Sequence, residues 1–483
     1  MLIKNYIRQQ CYYDSVLLMR LSQKIGSLAG IGQVSAGMGT PLNLATLEDM
    51  NLLNADGRQA GPNDLIFAVV AADEAAAGQA RDEFYRLLAA GQNPSSTARR
   101  ATDLNVLCRD HPELNLAVIS VAGEYAGAEA RRALQNGLNV FLFSDGVSPA
   151  EEAALKILAE EKDLLLMGPG CGLSFINGLA IGLCSKVRRG NIGIVAASGS
   201  GMQEVMTLIH RHGGGISQAI GTGGYDLSAE VGGATMLRGL RLLENDPQTD
   251  VLVLIAKPPA AIAARTVLEA VRRCHKPAVV QFIQGDARQI RASGATPSES
   301  FAETAFRALA LASGQPFRPE LWQPSPATLQ NQSEREVRQM APTQRYLRGI
   351  YCGGTLAEEA LAIIQAQVGP VYANFTTDPD RKLDNPFESL ENTLIDIGAE
   401  EFTRGRPHAA IDPTVRTARF IHEARDPATA VILLDFLLGY ALHPDPAGVL
   451  EAVIREEKNR AARAGRHLCV LAALCGSDLA AKL

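Results

Sequence analysis

The densest group of polar side chains in this sequence lies between residues 403 and 416. Two of its cations, Arg406 and Arg416, could bind a carboxylate or phosphate through paired hydrogen bonds. His408 is a candidate for proton transfer near neutral pH, and Asp412 is close enough in sequence to orient it. We take these four residues as the candidate catalytic residues. The competing interpretation is a proline-containing loop whose charges only pair with one another.

Four glycine-rich turns occur where predicted strands should end and helices should begin. Glycine lets the backbone turn tightly and lets a ligand approach the main-chain amides. The first turn of the following helix presents unpaired N–H groups, which suit a phosphate or carboxylate. We therefore predict phosphate or CoA contacts at these turns. The strongest candidates are Ser198, Gly199, Ser200 and Gly201, and the others are Gly168, Cys171, Gly223, Gly224, Gly353, Gly354 and Thr355.

For the three turns other than 198–201, an ordinary strand-to-helix connection is the competing interpretation. Thr355 and Glu358 have the spacing of a capping box, which predicts a structural role for the Thr355 hydroxyl. None of the turns has the Gly-Lys-Ser/Thr ending of a P-loop or a dinucleotide fingerprint. The sequence therefore predicts no direct ATP site.

The remaining polar signals are weaker. Asp435 ends an apolar strand, which is typical both of ligand sites and of helix caps.

The eight cysteines lie far apart without a CxxC pair, so we expect no metal site, no disulfide framework and a reduced, cytoplasmic protein. Cys171 and Cys352 adjoin glycine-rich turns, yet a buried apolar role is the favoured interpretation over a reactive thiol.

Short apolar runs that alternate with helical patterns must position these residues. Continuous apolar runs predict buried parallel strands, and the helices between them predict right-handed crossovers. We therefore expect an α/β fold with several doubly wound parallel-sheet domains. Ser148 followed by Pro149 and Glu151 is a typical helix start. The predicted strands are 116–121, 140–143, 164–167, 192–195, 251–255, 278–280, 348–351, 431–434 and 468–471.

Composition excludes some partners. The net charge of −6 argues against nucleic acid, because phosphate backbones need a basic surface. No apolar run approaches the roughly 18–20 residues that span a bilayer, and the first residues lack the apolar core of a signal peptide. Residues 313–345 are rich in Pro, Ser, Gln and Glu, which is typical of an exposed linker.

Several motifs resemble the FdrA family, a divergent branch of the succinyl-CoA synthetase superfamily. The turn Gly168–Gly172 resembles the end of the synthetase CoA-binding domain, and Asn191–Val195 with Ser198–Gly201 resembles the start of its α-type ligase domain. The FdrA-like motifs are Tyr13-Asp14-Ser15-Val16, Ser120-Val121-Ala122-Gly123-Glu124-Tyr125-Ala126, Lys257-Pro258-Pro259, Cys352-Gly353-Gly354-Thr355-Leu356, Arg406-Pro407-His408 and Ile411-Asp412-Pro413-Thr414.

The resemblance implies a domain order. It gives a CoA-binding-like Rossmann domain over 106–188 and a flavodoxin-like ligase domain over 189–315, and the weaker alternation of residues 1–105 predicts an additional small α/β region before them. A linker over 316–345 then leads to a second flavodoxin-like ligase domain over 346–483, which resembles the C-terminal part of the synthetase β chain. The ATP-grasp domain of the synthetases has no counterpart.

The chain departs from the synthetases at the relay group that they phosphorylate. That histidine is expected directly after the strand 277–282, but the sequence has no histidine between His275 and His408. Lys257-Pro258-Pro259 replaces the Gly- and Glu-containing loop that supports the phosphohistidine. Gly170 also replaces an acidic residue common in the FdrA family, which bears on whether CoA still binds.

The resemblance implies three alternative functions. FdrA proteins are associated with oxamate carbamoyltransferase, so the first is a subunit of an acyl or carbamoyl transferase that handles an acyl phosphate. There Ser198–Gly201 would hold the phosphoryl group, Arg406 or Arg416 the carboxylate, and His408 would transfer a proton. The second is an NDP-forming acyl-CoA synthetase subunit that works with an ATP-grasp partner. The third is a non-catalytic scaffold that binds CoA or an acyl phosphate. All three imply an oligomer, and the first two imply further protein subunits.

Overall fold

The structure, a computed structural model, describes residues 2–11, 13, 15–26, 28–90, 103–403, 407–440 and 442–477. The chain divides into two compact units, of which the first comprises residues 1–100 and 400–407. The second comprises residues 101–399 and 408–483. Within the residues described, no helix combines the length and the apolar character needed to cross a membrane.

The first unit contains a three-stranded antiparallel sheet in the order β1-β3-β2. The central strand β3 is almost wholly buried, and the Phe67 ring in it stacks on the ring of Phe84 with 4.2 Å between centroids. The region contains both strands and helices, and β3 runs antiparallel to both neighbouring strands. The strands are β1 (Leu2–Arg8), β2 (Ile31–Met38) and β3 (Leu65–Ala71), and the helices are α1 (Ser15–Gly26), α2 (Pro41–Asp49), α3 (Glu74–Ala90) and, from the later segment, α14 (Glu400–Thr403).

The second unit begins with a three-stranded parallel sheet in the order β4-β5-β6. The predicted helix start is confirmed, because the Ser148 hydroxyl accepts a hydrogen bond from the Glu151 amide at 3.3 Å. The elements are β4 (Leu116–Ile119), β5 (Asn139–Leu142), β6 (Leu166–Met167), α4 (Leu104–Asp110), α5 (Gly123–Gln135) and α6 (Pro149–Glu161).

A seven-stranded sheet follows in the order β13-β12-β11-β9-β10-β7-β8. Its five strands from β9 to β13 are parallel, whereas β7 and β8 form a hairpin that pairs antiparallel with β10. The strands are β7 (Leu173–Ile176), β8 (Leu179–Gly182), β9 (Arg189–Ala197), β10 (Ile216–Gly221), β11 (Val251–Ala256), β12 (Ala278–Phe282) and β13 (Thr296–Pro297). The helices are α7 (Gly199–Arg211), α8 (Ala234–Asn245), α9 (Ala261–Val271), α10 (Ala287–Ala292) and α11 (Phe301–Ser313).

The last sheet has five parallel strands in the order β15-β16-β14-β17-β18. The segment before this sheet contains the exposed helix α12, and the Ser325 hydroxyl caps its start by accepting from the Thr328 amide at 3.2 Å. The strands are β14 (Tyr346–Tyr351), β15 (Tyr372–Ala373), β16 (Thr393–Asp396), β17 (Thr429–Leu437) and β18 (Cys469–Cys475). The helices are α12 (Pro326–Val337), α13 (Gly354–Val368), α15 (Thr414–Arg425) and α16 (Pro446–Arg463).

These sheets confirm the predicted α/β class with doubly wound parallel sheets. One hydrophobic cluster joins the last two sheets, since it includes Ile194, Val253 and Phe301 on one side and Ala357 and Leu394 on the other. The hairpin of β7 and β8 belongs to the seven-stranded sheet although it precedes residue 188. The domain boundaries inferred from the resemblance stay a prediction.

Candidate functional site

A cavity of about 290 Å³ lies where the starts of α7 and α13 come together. The two helix starts approach so closely that a Cβ added at Gly353 would lie 2.9 Å from the Cβ of Ser200. Both helices follow the carboxyl ends of parallel strands, the usual position of ligands in open α/β sheets. The cavity is lined by Gly170–Leu173, Leu183, Ala196–Ser200, Gln203, Gly221, Gly223, Gly224, Lys257, Cys352–Thr355, His408, Ala410, Leu437 and Leu442.

At the start of α7, the Ser198 side chain acts as the helix cap. Its Oγ accepts a hydrogen bond from the Gly201 amide at 3.1 Å. The first amides of a helix have no partner within the helix, and in the described part of the chain no hydrogen bond occupies those of Gly199 and Ser200. The start of α7 therefore offers two amides and the positive end of its dipole to the cavity.

At the start of α13, a carboxylate takes part of the capping role. Asp435 lies two residues before the end of β17, and its two oxygens accept from the amides of Cys352 at 2.8 Å and Gly353 at 2.7 Å. The amides of Gly354 and Thr355 have no such partner among the residues described. Two amides from each helix thus remain available to one anion.

The capping box predicted for Thr355 and Glu358 is wrong. Helix α13 has no side-chain cap, since Gly353 occupies the capping position. The Glu358 carboxylate instead pairs with Lys257, with 2.7 Å between Oε1 and Nζ. This ion pair places an ammonium group beside the start of α13, because Lys257 lines the same cavity.

Asp396 is a buried carboxyl group at the end of β16. Its Oδ1 accepts from the Gly398 amide at 2.8 Å. Burial raises the pKa of Asp396 to about 6, although the Gly398 amide and the Lys257 ammonium act in the opposite direction. This group therefore gains and loses a proton close to neutral pH.

His408 lines the cavity with its ring held by the main chain. Its Nδ1 accepts a hydrogen bond from the Ala410 amide at 3.2 Å. Burial lowers the pKa of His408, and the nearby Arg416 cation adds to that effect while Asp435 opposes it. The imidazole is thus neutral at physiological pH.

The structure brings most of the predicted binding residues together. Ser198, Gly199 and Ser200 line the cavity, as do most residues of the other three turns: Cys171, Gly223, Gly224, Gly353, Gly354 and Thr355. Gly168 and Gly201 do not line it. At Gly201 an added Cβ would lie 2.7 Å from the Phe301 ring, so the glycine permits close packing.

Three of the four predicted catalytic residues need correction or cannot be placed. Arg416 is 1% exposed and its Nη2 donates to Asp435 at 3.2 Å, so it neutralises a buried carboxylate and does not clamp a ligand. Asp412 accepts from the amide and hydroxyl of Thr414 at 3.0 and 2.6 Å, so it holds the start of α15 and does not orient His408. Arg406 lies outside the described residues.

The two cysteines of the cavity are poor nucleophiles. Burial raises the pKa of the Cys171 thiol to about 12 and that of Cys352 well above its ordinary value. Both thiols are therefore protonated at neutral pH, in keeping with the structural interpretation.

Sequence reasoning missed Lys257, which lines the cavity, and Asp396, whose carboxyl group lies beside the lining residue Gly354. The available signal was position, because Lys257 directly follows β11 and Asp396 ends β16. Gln203 was missed as well. It lines the cavity, and its Nε2 donates to the Leu438 carbonyl at 3.0 Å.

Three family models match parts of the chain. One described as the CoA binding domain matches residues 187–283, which contain β9 to β12. One described as CoA-ligase matches residues 350–481, which contain most of the five-stranded sheet. One described as the AllF heavy metal-associated domain matches residues 1–104.

Among curated proteins, the chain is similar to the uncharacterized protein YahF of Escherichia coli (strain K12). The two are 44% identical over 481 residues, which cover 99% of this chain and 92% of YahF. The chain is also similar to the ADP-forming succinate–CoA ligase subunit alpha 2 of Archaeoglobus fulgidus. That identity is 27% over 180 residues, which cover 36% of this chain and 60% of the archaeal protein.

Two solved structures show weaker similarity. The apo form of the dinucleotide-forming acetyl-coenzyme A synthetase 1 of Ca. Korarchaeum cryptofilum has a TM-score of 0.36 and 17% identity, covering 79% of this chain and 80% of that chain. ATP citrate lyase from Methanothrix soehngenii, with citrate and coenzyme A, has a TM-score of 0.37 and 17% identity, covering 48% and 45%.

The donor set of the N-terminal segment does not fit a heavy-metal site. Residues 1–104 contain one cysteine, Cys11, and no histidine. Soft metals require several thiolate or imidazole ligands. Over the described ranges, no group of three or more His, Cys, Asp or Glu side chains is placed to hold a metal ion.

Proposed function

The chain belongs to the family of YahF, within the succinyl-CoA synthetase-like superfamily, and we propose that it is a subunit of a transferase that handles an acyl or carbamoyl phosphate. One observation carries this proposal: the starts of α7 and α13 open into a single cavity that Lys257 also lines. Four amides and one ammonium converge there, which suits a phosphoryl group.

The amides of Gly199, Ser200, Gly354 and Thr355 are the phosphoryl-binding groups of this proposal. They are fixed before the ligand arrives, because Ser198 and Asp435 hold the two helix starts. Preorganised donors stabilise charge that grows during the reaction without further reorganisation. They would therefore stabilise the phosphate dianion as it leaves the acyl carbon.

The transferred group passes to an acceptor nitrogen, as in the reaction of carbamoyl phosphate with oxamate. The carbon–nitrogen bond forms, the bond from carbon to the phosphate oxygen breaks with its electron pair going to phosphate, and the nitrogen loses a proton. Two residues with basic side chains line the cavity in the described part of the chain, Lys257 and His408. Because His408 is neutral, Lys257 supplies the positive charge. We assign Lys257 to the ligand anion in place of Arg416.

The first test is a calorimetric titration of the purified protein with carbamoyl phosphate and, separately, with CoA. Binding of carbamoyl phosphate without CoA supports the transferase. Lys257→Met should weaken carbamoyl phosphate binding about 10- to 150-fold, since a charge-assisted hydrogen bond contributes roughly 1.5–3 kcal/mol. The control is Lys162→Met, which changes an exposed lysine just after α6 and should leave the affinity unaltered.

The second candidate is an NDP-forming acyl-CoA synthetase subunit. The matches to the CoA binding domain and CoA-ligase models favour it. It requires partner chains to supply both the ATP-grasp site and the relay histidine, because none lies between His275 and His408. Tight binding of CoA without carbamoyl phosphate would support this candidate and contradict the transferase. A scaffold, the third candidate, predicts that cavity substitutions leave the turnover of the assembled complex unchanged.

A further inference from the structure

We propose that Asp396, whose carboxyl group lies beside the lining residues Gly354 and Lys257, is the proton acceptor of the site and that His408 is a hydrogen-bond donor there. This inference rests on the proposed function and reassigns the proton-transfer role that the sequence suggests for His408. It follows from the hydrogen-bonding state of the imidazole and from the position of the Asp396 carboxyl group.

The ring of His408 is committed to a donor role. Its Nδ1 accepts the Ala410 amide proton at 3.2 Å, so the proton of the neutral imidazole resides on Nε2. A nitrogen that already carries its proton cannot accept another. Protonating Nδ1 would break the bond to Ala410 and create a buried cation beside Arg416. His408 can therefore donate through Nε2, but it is a poor base.

Asp396 is held rigidly at the end of its strand. Its amide donates to Asn374 Oδ1 at 2.9 Å, and its carbonyl accepts from Asn374 Nδ2 at 3.0 Å. Its Oδ1 accepts from the Gly398 amide. Main-chain and side-chain bonds thus fix the carboxyl group, as a group that must meet a substrate proton requires.

Two glycines leave room for the groups that face this carboxyl. A Cβ added at Gly398 would lie 2.6 Å from His408 Nε2 and 3.1 Å from Asp396 Oδ1. A Cβ added at Gly354 would lie 2.7 Å from Asp396 Oδ2 and 3.7 Å from Lys257 Nζ. Oδ1 of Asp396 and Nε2 of His408 therefore flank Gly398 together. Oδ2 of Asp396 and Nζ of Lys257 flank Gly354 at the start of α13.

The charges around Asp396 suit reversible protonation. Lys257 favours the carboxylate, while Asp435 on β17 and Glu358 on α13 favour the acid. Burial also favours the acid and is the largest effect. In the transfer step, Asp396 takes the proton that the acceptor nitrogen loses, and the carboxylate becomes a carboxylic acid. His408 Nε2–H can then donate to a carboxyl oxygen or to the ligand.

The proposal is tested by comparing Asp396→Asn with His408→Gln. The asparagine keeps an oxygen for the Gly398 amide but cannot take a proton, and the glutamine keeps an N–H donor. With carbamoyl phosphate and oxamate, Asp396→Asn should lower turnover at least about 100-fold without weakening carbamoyl phosphate binding. His408→Gln should retain turnover within about tenfold. The reverse order of losses would overturn the assignment.

A second measurement does not depend on turnover. Sulfate mimics the phosphoryl dianion and does not titrate near neutral pH, so any proton taken up on binding belongs to the protein. Calorimetry at pH 6.5 in buffers of different ionisation enthalpy should show proton uptake by the wild type and none by Asp396→Asn. Equal uptake in both proteins overturns the role of Asp396, whereas failure of sulfate and carbamoyl phosphate to bind either protein refutes the anion site itself. Thermal unfolding verifies that both variants fold.

Discussion

Asp435 is the buried carboxylate that holds the start of α13 beside the cavity. It accepts from two main-chain amides and pairs with Arg416, and the structure exposes 0% of Asp435 and 1% of Arg416. A buried charge is tolerated only when it is paired and hydrogen-bonded. At the residue scale, these polar groups therefore divide into those that fix the site, such as Asp435 and Arg416, and those that face the ligand.

Arg416→Met should destabilise the protein by about 3–5 kcal/mol, because it leaves the Asp435 charge buried without its cation. Urea unfolding measures the change. The matched control is Arg455→Met, which breaks an exposed pair with Glu451 and should cost less than about 1 kcal/mol. Equal effects of the two substitutions would show that Arg416 does not neutralise Asp435.

Asp396→Asn should change stability in a pH-dependent way. The folded-state pKa of about 6 lies above the ordinary 3.8, so the folded wild type loses stability as pH rises from about 4 to 6. The variant lacks this loss and should be more stable than wild type by on the order of 3 kcal/mol at pH 8, with the difference vanishing near pH 4. Unfolding curves at the two pH values check this. A difference that does not vary with pH would contradict it.

Two helix starts form the site at the scale of elements. Ser198 caps α7 with its own side chain, whereas α13 begins at a glycine and relies on Asp435 from a different strand. In each case two amides of the first turn stay unoccupied: those of Gly199 and Ser200 before the capped Gly201 amide, and those of Gly354 and Thr355 after the Gly353 amide. The anion site is therefore a property of how these helices begin and of the short distance between their starts.

Gly199→Pro should weaken phosphate binding several-fold without lowering stability. Proline is well tolerated at the first position of a helix, where it removes an N–H that has no partner in the helix. Ser198 already lies in the extended region (φ −163°, ψ 106°) and outside the helical region, which a following proline disfavours. The measurement is calorimetric titration with inorganic phosphate.

Ala261→Pro is the matched control for this substitution, because Ala261 is the first residue of α9 and does not line the cavity. It should leave phosphate affinity unchanged. If both variants bind phosphate like wild type, the Gly199 amide takes no part in binding.

At the scale of the whole molecule, two parallel sheets of the second unit share one core. Phe301 is 1% exposed within the cluster that joins them, and its amide donates to Glu359 on α13 at 2.6 Å. The cavity lies where these two sheets meet, so its geometry depends on their common packing.

Phe301→Ala should destabilise the second unit by about 3–5 kcal/mol, because it leaves a cavity in the shared core. Differential scanning calorimetry should show the unfolding of both sheets moving together to lower temperature. As a control, Phe387→Ala removes an exposed ring and should have little effect. Separation of the unfolding into two transitions, with only one moved, would contradict a shared core.

The sequence predicted the parts of this fold that depend on local pattern. Continuous apolar runs gave the positions of β5, β9, β11 and β17, since a strand buried on both faces must be apolar throughout. Strand β10 was missed because its sequence, Ile216–Gly221, interrupts the apolar run with polar residues. The composition of residues 313–345 did not indicate the helix Pro326–Val337 that the structure has there.

The sequence by itself determined the glycine-rich turns and their place at strand ends, because turn chemistry and helix capping depend on neighbouring residues. Only the tertiary structure decided which polar groups meet. Lys257 and Asp396 are 139 positions apart (396 − 257), and both lie beside Gly354. The sequence predicted Arg416 as a ligand-binding residue and Asp412 as a residue that orients His408, but Arg416 bonds to Asp435 and Asp412 bonds to Thr414. Burial and long-range pairing set the state of an ionisable group, and neither can be read from local spacing.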